Sequence, residues 1–207
     1  MAILYLSSKG AGKLNTVSNS IPQSLNYLIF LYHSHHHFIY NESRFPVLSQ
    51  NHFIDFDLFC SRLSHIWNEI MRHAEQEDDF VRWDLAYFQN GSGFRDLFVP
   101  GESGEHFFQE TKKSFSAWWW PQPYGGQFLL DQLSSPMVSP IYQGLRQLSE
   151  ARNIDFPDVI LFAVYDRIPP SCMPKNSRCF VYPVGRPEQN IAAVETIVHA
   201  LFSSFPS

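Results

Sequence analysis

Nine histidines and three cysteines are the side chains of this 207-residue sequence with the most chemistry open to them. Four of the histidines fall in one run, His33-Ser34-His35-His36-His37. Imidazole binds zinc, copper and nickel, and a histidine-rich tract collects such ions without a fold. A built site needs ligands converging at fixed geometry, with a second layer of support. Neighbouring residues point in different directions on a helix or a strand, so the run reads as the polar end of an apolar segment. His65, Glu69 and His73 are better ordered, because steps of four place them on one stripe of a helix. Two imidazoles and a carboxylate make a common zinc or iron set. With about 6 Å of rise per step they cannot all reach one ion, and a solvated face is the expected reading.

His73-Ala74-Glu75, taken with Pro170-Ser171-Cys172 and Cys179, is similar in part to the zinc-dependent nucleobase deaminases. Those enzymes carry His-x-Glu and a later Pro-Cys-x-x-Cys, with zinc on the His and both Cys and the Glu as proton carrier. The resemblance implies His73, Cys172 and Cys179 as zinc ligands and Glu75 as the catalytic residue. This sequence departs from the pattern in three ways. Six residues separate its cysteines instead of two, a strand instead of a helix follows the first cysteine, and His73 ends a helix where the family's His begins one. Lys9-Gly10-Ala11-Gly12-Lys13 follows an apolar run as a phosphate loop would. A Walker loop needs Gly and Ser or Thr where Ser7 and Leu14 stand, so Asp166 at a later strand end gains no partner from it. No nucleophile elbow or dinucleotide-binding glycine loop is present. Asp78-Asp79 lies within a charge run, where solvation is the default.

Trp118-Trp119-Trp120-Pro121-Gln122-Pro123-Tyr124 is the remaining candidate. Three consecutive indoles cannot all point inward from one strand or helix, so at least one should reach a surface. Tryptophan is enriched at binding hot spots, and a proline-rich loop loses little entropy on docking. The two prolines and the following Gly125-Gly126 predict an irregular segment over Trp118–Gly126. The competing reading is a lid folded over the core with its indole N–H groups bonded locally.

The elements that must position these residues follow from periodicity. Phe59, Leu63, Ile66, Trp67, Ile70 and Ala74 recur at helical spacing, so a helix over about 57–76 is expected, capped by Asp55 or Asp57. Glu75, Glu77, Asp78 and Asp79 oppose its dipole and should stop it. Asp158–Tyr165 reads as a strand buried on both faces, with Ile160, Phe162 and Val164 on one side and Leu161, Ala163 and Tyr165 on the other. A second strand spans about 178–184, and its Pro183 places it at an edge or ends it. Helices over about 140–152 and 187–204 follow, the last facing the strand through Val194, Val198 and Leu201. Two aromatic runs around Asn90-Gly91-Ser92-Gly93 predict a hairpin over about 83–99. A short helix is expected from Glu105 to Phe115. Leu25–Tyr40 is apolar enough for a buried helix or a strand, and periodicity does not choose. Residues 7–20 read as a mobile linker.

The fold class expected is therefore α+β, a small mixed or antiparallel sheet covered by helices. Residues 1–55, holding only Lys9, Lys13, Glu42, Arg44 and Asp55 as charges, are expected to form a low-charge N-terminal segment with a flexible start, packed on the main domain. Residues 56–207 form a single α+β domain. A net charge of −5 gives no basic field for nucleic acid as a direct ligand. The most apolar stretch is broken by histidines and does not read as a membrane span. An odd cysteine count without framework spacing argues for a reducing compartment, hence the cytoplasm. Aromatic residues make up 16% of the chain, which calls for a thick core, a docking surface, or both. With no intact catalytic motif, the sequence reads as a non-catalytic protein that binds another protein as accessory subunit, adaptor or inhibitor. Trp118, Trp119, Trp120, Pro121, Pro123 and Tyr124 are its binding residues, with no cofactor. The alternative is a zinc-dependent enzyme of deaminase or hydrolase type using His73, Glu75, Cys172 and Cys179.

Overall fold

A computed structural model describes residues 16–40, 48, 51–76, 79–153, 157–172, 179–185 and 187–204, with backbone alone for residues 40, 187–192 and 204. Their elements run β1 (Val17–Ser20), α1 (Gln23–Tyr40), α2 (Phe56–Gln76), α3 (Phe80–Asn90), α4 (Glu102–Trp119), α5 (Gly126–Ser134), α6 (Val138–Arg152), β2 (Val159–Val164), β3 (Cys179–Pro183) and α7 (Pro187–Ser204). The described parts of Met1–Ile21, Phe128–Asp166 and Pro174–Ser207 make a sheet unit, and those of Pro22–Gln127 and Arg167–Met173 a helical unit. The class is α+β, a small sheet covered by helices, but the sheet is wholly parallel where a mixed or antiparallel one was expected.

In the sheet unit β2 is the central strand, with β1 and β3 on either side. Its β-branched and aromatic residues suit a strand with both faces buried. Leu161 and Ala163 share a core with Ile141 and Leu145 of α6 and with Val198 and Leu201 of α7, and Val194 packs against it. Phe162 and Val164, on the opposite face, are also fully buried. Helix α7 therefore covers β2 through the residues expected. It lies close to α6, since a Cβ on Gly144 would stand 2.9 Å from Val198 Cγ2. Pro183 is the last residue of edge strand β3, where no ladder N–H is missed.

Strand β1 corrects the linker expected over residues 7–20, of which 7–15 lie outside the described residues. Val17 and Asn19 alternate inward between half-exposed serines, and the strand pairs in parallel with β2 from Val17↔Val159 to Ser20↔Phe162. Asp158 Oδ1 fixes the register by accepting from the Thr16 backbone N–H (2.8 Å) and hydroxyl (2.9 Å). Buried Asn19 donates to Ser134 Oγ (2.8 Å) and accepts from the Tyr182 hydroxyl (3.2 Å), which ties β1 to α5 and β3.

In the helical unit α1 is buried from Pro22 through Leu31, and α2, α3 and α4 pack around it. The first half of this 18-residue helix is enclosed and makes it a core helix, which decides the choice that periodicity left open. Helix α2 buries Phe59, Leu63, Ile66, Trp67, Ile70 and Ala74 as their spacing requires. Asp55 Oδ1 accepts from the N–H groups of Asp57 (3.1 Å) and Leu58 (3.4 Å), so Asp55 is the cap. Glu77 and Asp78 lie outside the described residues.

No hairpin forms over 83–99. Phe80, Asp84 and Phe88 are buried at four-residue spacing on α3, and Gly91 (φ 67°) closes that helix, its N–H reaching Tyr87 O at 2.9 Å. A 3-10 turn, Ser92–Leu97, follows. The glycines read as a hairpin turn are thus a helix stop. The Asp84 carboxylate caps α1, accepting from Gln23 N (2.7 Å) and Ser24 N (3.1 Å). Helix α4 exceeds the expected 105–115 at both ends, because one buried stripe runs through Gly104, Phe108, Thr111, Phe115 and Trp119. Much of the aromatic excess is core. Tyr27 has Phe88, Phe94 and Phe115 at 5.1–5.2 Å, and its hydroxyl meets Thr111 Oγ1 at 2.8 Å.

Candidate functional site

The three tryptophans have three different surroundings. Trp119, in the last turn of α4, is fully buried and stacks on Phe115 at 5.1 Å and 22°. Trp118 is half-buried, edge-on to Phe115 at 5.7 Å, and its ring lies on Gly126. Trp120 closes the helix, its N–H donating to Ser116 O at 3.1 Å, and its side chain is 45% exposed. The segment expected to be irregular from Trp118 thus begins at Trp120, since the first two indoles are helical. Pro121, Gln122 and Pro123 then turn in the open, with a cis bond before Pro123, and Tyr124 is 88% exposed. The Gly125 N–H donates to Pro121 O, closing the loop on itself. A side chain on Gly125 would strike Pro121 O and Trp119 O, so only glycine lets the chain return this tightly. The stretch Ser114–Leu130 holds no charged residue, so this loop makes no ion pair of its own.

The histidine run lies on the C-terminal half of α1 and does not converge. His35 is buried, stacked on Phe53 (4.8 Å, 14°) and edge-on to Phe56 and Phe59, with Nε2 at 3.0 Å from Ile54 O. Burial holds its pKa below the usual imidazole range. His33 and His36 lie beside Tyr32.

The collinear set on α2 is divided among different partners. Glu69 accepts from the Tyr87 hydroxyl (3.1 Å), His73 stacks on Trp83 (4.3 Å, 18°), and His65 lines a surface depression with Arg62. His73 and Glu75 share the last turn of α2. Cys172 is buried in the 3-10 turn Pro170–Cys172, which lies against α2 where Ser64 Oγ donates to Ser171 O at 2.8 Å. Burial pushes its thiol up to about 12, which keeps it protonated. Cys179 opens β3 in the sheet unit. Among the described residues no group of three His, Cys, Asp or Glu side chains is placed to hold a metal ion. Lys9–Lys13 lies outside the described residues, and Asp79 caps α3 through Arg82 N (3.1 Å).

A groove that the sequence did not indicate runs over the helical unit. One depression of about 460 Å³ is lined by Ile54, Leu58, Arg62, Phe98, Pro100 and Glu105, among others. A second, of about 470 Å³, shares Arg62 and Asp96 with it and adds Ser61 and His65. Helix α2 forms one wall through residues one turn apart, and the chain from Arg95 into α4 forms the other. Arg62 and Arg95 stand 33 positions apart, so no local pattern joins them.

No family model matches the chain, and neither a curated protein nor a solved structure does. No helix among the described residues is long and apolar enough to cross a membrane.

Proposed function

We propose that this protein works by binding another protein through the loop Trp120–Tyr124, and that it performs no chemistry of its own. One observation carries the reading. A protruding Tyr124 and a half-exposed Trp120 stand on a base of buried or packed indoles, Trp119 on Phe115 and Trp118 on Gly126. Large aromatic side chains supply hot-spot energy, and a loop already closed by its own hydrogen bond loses little entropy on docking. Trp118 and Trp119 are then the foundation, while Trp120, Pro121, Pro123 and Tyr124 make the contact. We place the protein in the cytoplasm on its three unpaired cysteines.

Light scattering after size-exclusion chromatography, then pull-down from the native host, tests the reading. Wild type should recover a partner that Trp120→Ala with Tyr124→Ala does not, while both proteins melt alike. Equal recovery by the double variant would remove the loop from the function. The zinc-enzyme alternative makes a separate demand, about one zinc per chain by elemental analysis, lost when Cys172 and Cys179 are changed.

A further inference from the structure

We propose that the groove beside Arg62 is a second docking site, which takes an extended peptide segment carrying an apolar side chain next to a single carboxylate. It consists of two depressions, each lined mainly by apolar surface, that share Arg62 and Asp96. Two depressions that meet at one arginine suit a run of residues better than a compact molecule. The depression nearer α4 is lined by Ile54, Leu58, Phe98, Pro100 and Phe108, of which Leu58 and Pro100 are exposed. Leu58 is 45% exposed there, an apolar residue open to solvent on a helix whose other leucine is core.

The charges select the partner. Arg95 is already paired with Glu105 at 3.0 Å on the exposed rim. Arg62 is half-buried, donates to the backbone carbonyl of Asp96, and has no carboxylate in ion-pair contact among the described residues. A guanidinium held by one carbonyl keeps donors for a bidentate carboxylate. Asp96 lines both depressions, so a second acidic residue would meet repulsion and the groove is no general anion trap. Acidic peptide side chains adjoining leucine or a residue like it are the chemistry that fits.

The site does not depend on the Trp120–Tyr124 loop. Fluorescence polarisation on the full chain tests it with labelled, end-blocked pentapeptides containing leucine-glutamate, leucine-glutamine or alanine-glutamate between alanines. The leucine-glutamate peptide should bind about tenfold tighter than either control, the factor expected of one charge-assisted bidentate pair or one filled apolar pocket. Leu58→Glu, at an exposed position where folding is untouched, should set a carboxylate beside Arg62 and abolish binding. Arg62→Gln should make the glutamate and glutamine peptides equal. Trp120→Ala with Tyr124→Ala should bind the peptide as wild type does. Equal affinity for the glutamate and glutamine peptides in wild type, or undiminished binding by Leu58→Glu, would overturn the proposal. Binding of N-acetyl-leucine as tight as that of the peptide would also overturn it, by showing a small-acid site instead.

Discussion

The ring of Trp118 lies against the Cα of Gly126, so close that a Cβ there would stand 2.5 Å from Cζ2 and 2.6 Å from Cη2. The two residues clamp the ends of the Trp-Pro loop together. Gly126→Ala should force the indole aside and destabilise by about 1–3 kcal/mol, as overpacking does. The tryptophan emission should shift, and partner recovery should fall although every exposed loop residue is retained. Unchanged emission and recovery would show that the clamp does not shape the loop.

Urea melts should separate the three indoles. Trp120→Ala and Tyr124→Ala should each stay within about 0.5 kcal/mol of wild type, because their side chains are exposed. Trp119→Ala should cost about 3–5 kcal/mol. Trp119→Phe should cost less than about 1.5 kcal/mol, since the ring still stacks on Phe115 and a buried N–H without a hydrogen-bond partner is removed. Similar midpoints for the two Trp119 variants would contradict the packing described.

Phe162 is fully buried on the central strand, so Phe162→Ala should cost about 3–5 kcal/mol, a large part of a domain's stability. His199 is exposed on α7, and His199→Ala should melt as wild type does. A wild-type midpoint for Phe162→Ala would mean that β2 is not central.

Asp84 and His35 should tilt the pH profile of stability in opposite directions. Burial raises the Asp84 carboxyl from 3.8 to about 6, outweighing its three hydrogen bonds from Ser24 and Gln23. A raised folded-state pKa means the folded chain holds the proton longer. The stabilisation is therefore complete below 3.8 and is lost as pH rises through about 6, a change of about 3 kcal/mol at 1.36 kcal/mol per unit. His35 is lowered by burial, so its contribution is complete above 6.5 and is lost as pH falls. Asp84→Asn should remove the first slope and leave the second, steepening acid destabilisation between pH 6 and 4. Urea midpoints across that range decide it, and a profile parallel to wild type would refute the assignment.

Much of the architecture could be read from local pattern. The stripe Phe59–Ala74 fixed α2, and the apolar run flanked by prolines fixed β2. Two features resisted for physical reasons. On α3 the buried stripe contains Asp84, whose carboxylate serves α1 instead of solvent, so the segment lacks an apolar period and Gly91 mimics a hairpin turn. Strand β1 is Val-Ser-Asn-Ser, with a buried asparagine satisfied by Ser134 and Tyr182, and nothing local marks so polar a sequence as a strand. The aromatic loop was visible by composition, but the division between foundation and contact depends on where α4 ends. The groove was invisible, because Arg62 meets Asp96 only after α2 and the turn before α4 are in place.

The pairing of β1 with β2 has a bearing on how the chain is made. Val17 waits for Val159, and Thr16 for Asp158, so a nascent chain carries β1 as an unpaired edge until 142 further positions have been translated. The residues of α1 to α4 all emerge in that interval, and they can settle around Tyr27 without the sheet. A polar β1 is then an advantage on the ribosome, since four residues of which three are polar offer a neighbouring chain little to stick to during the wait.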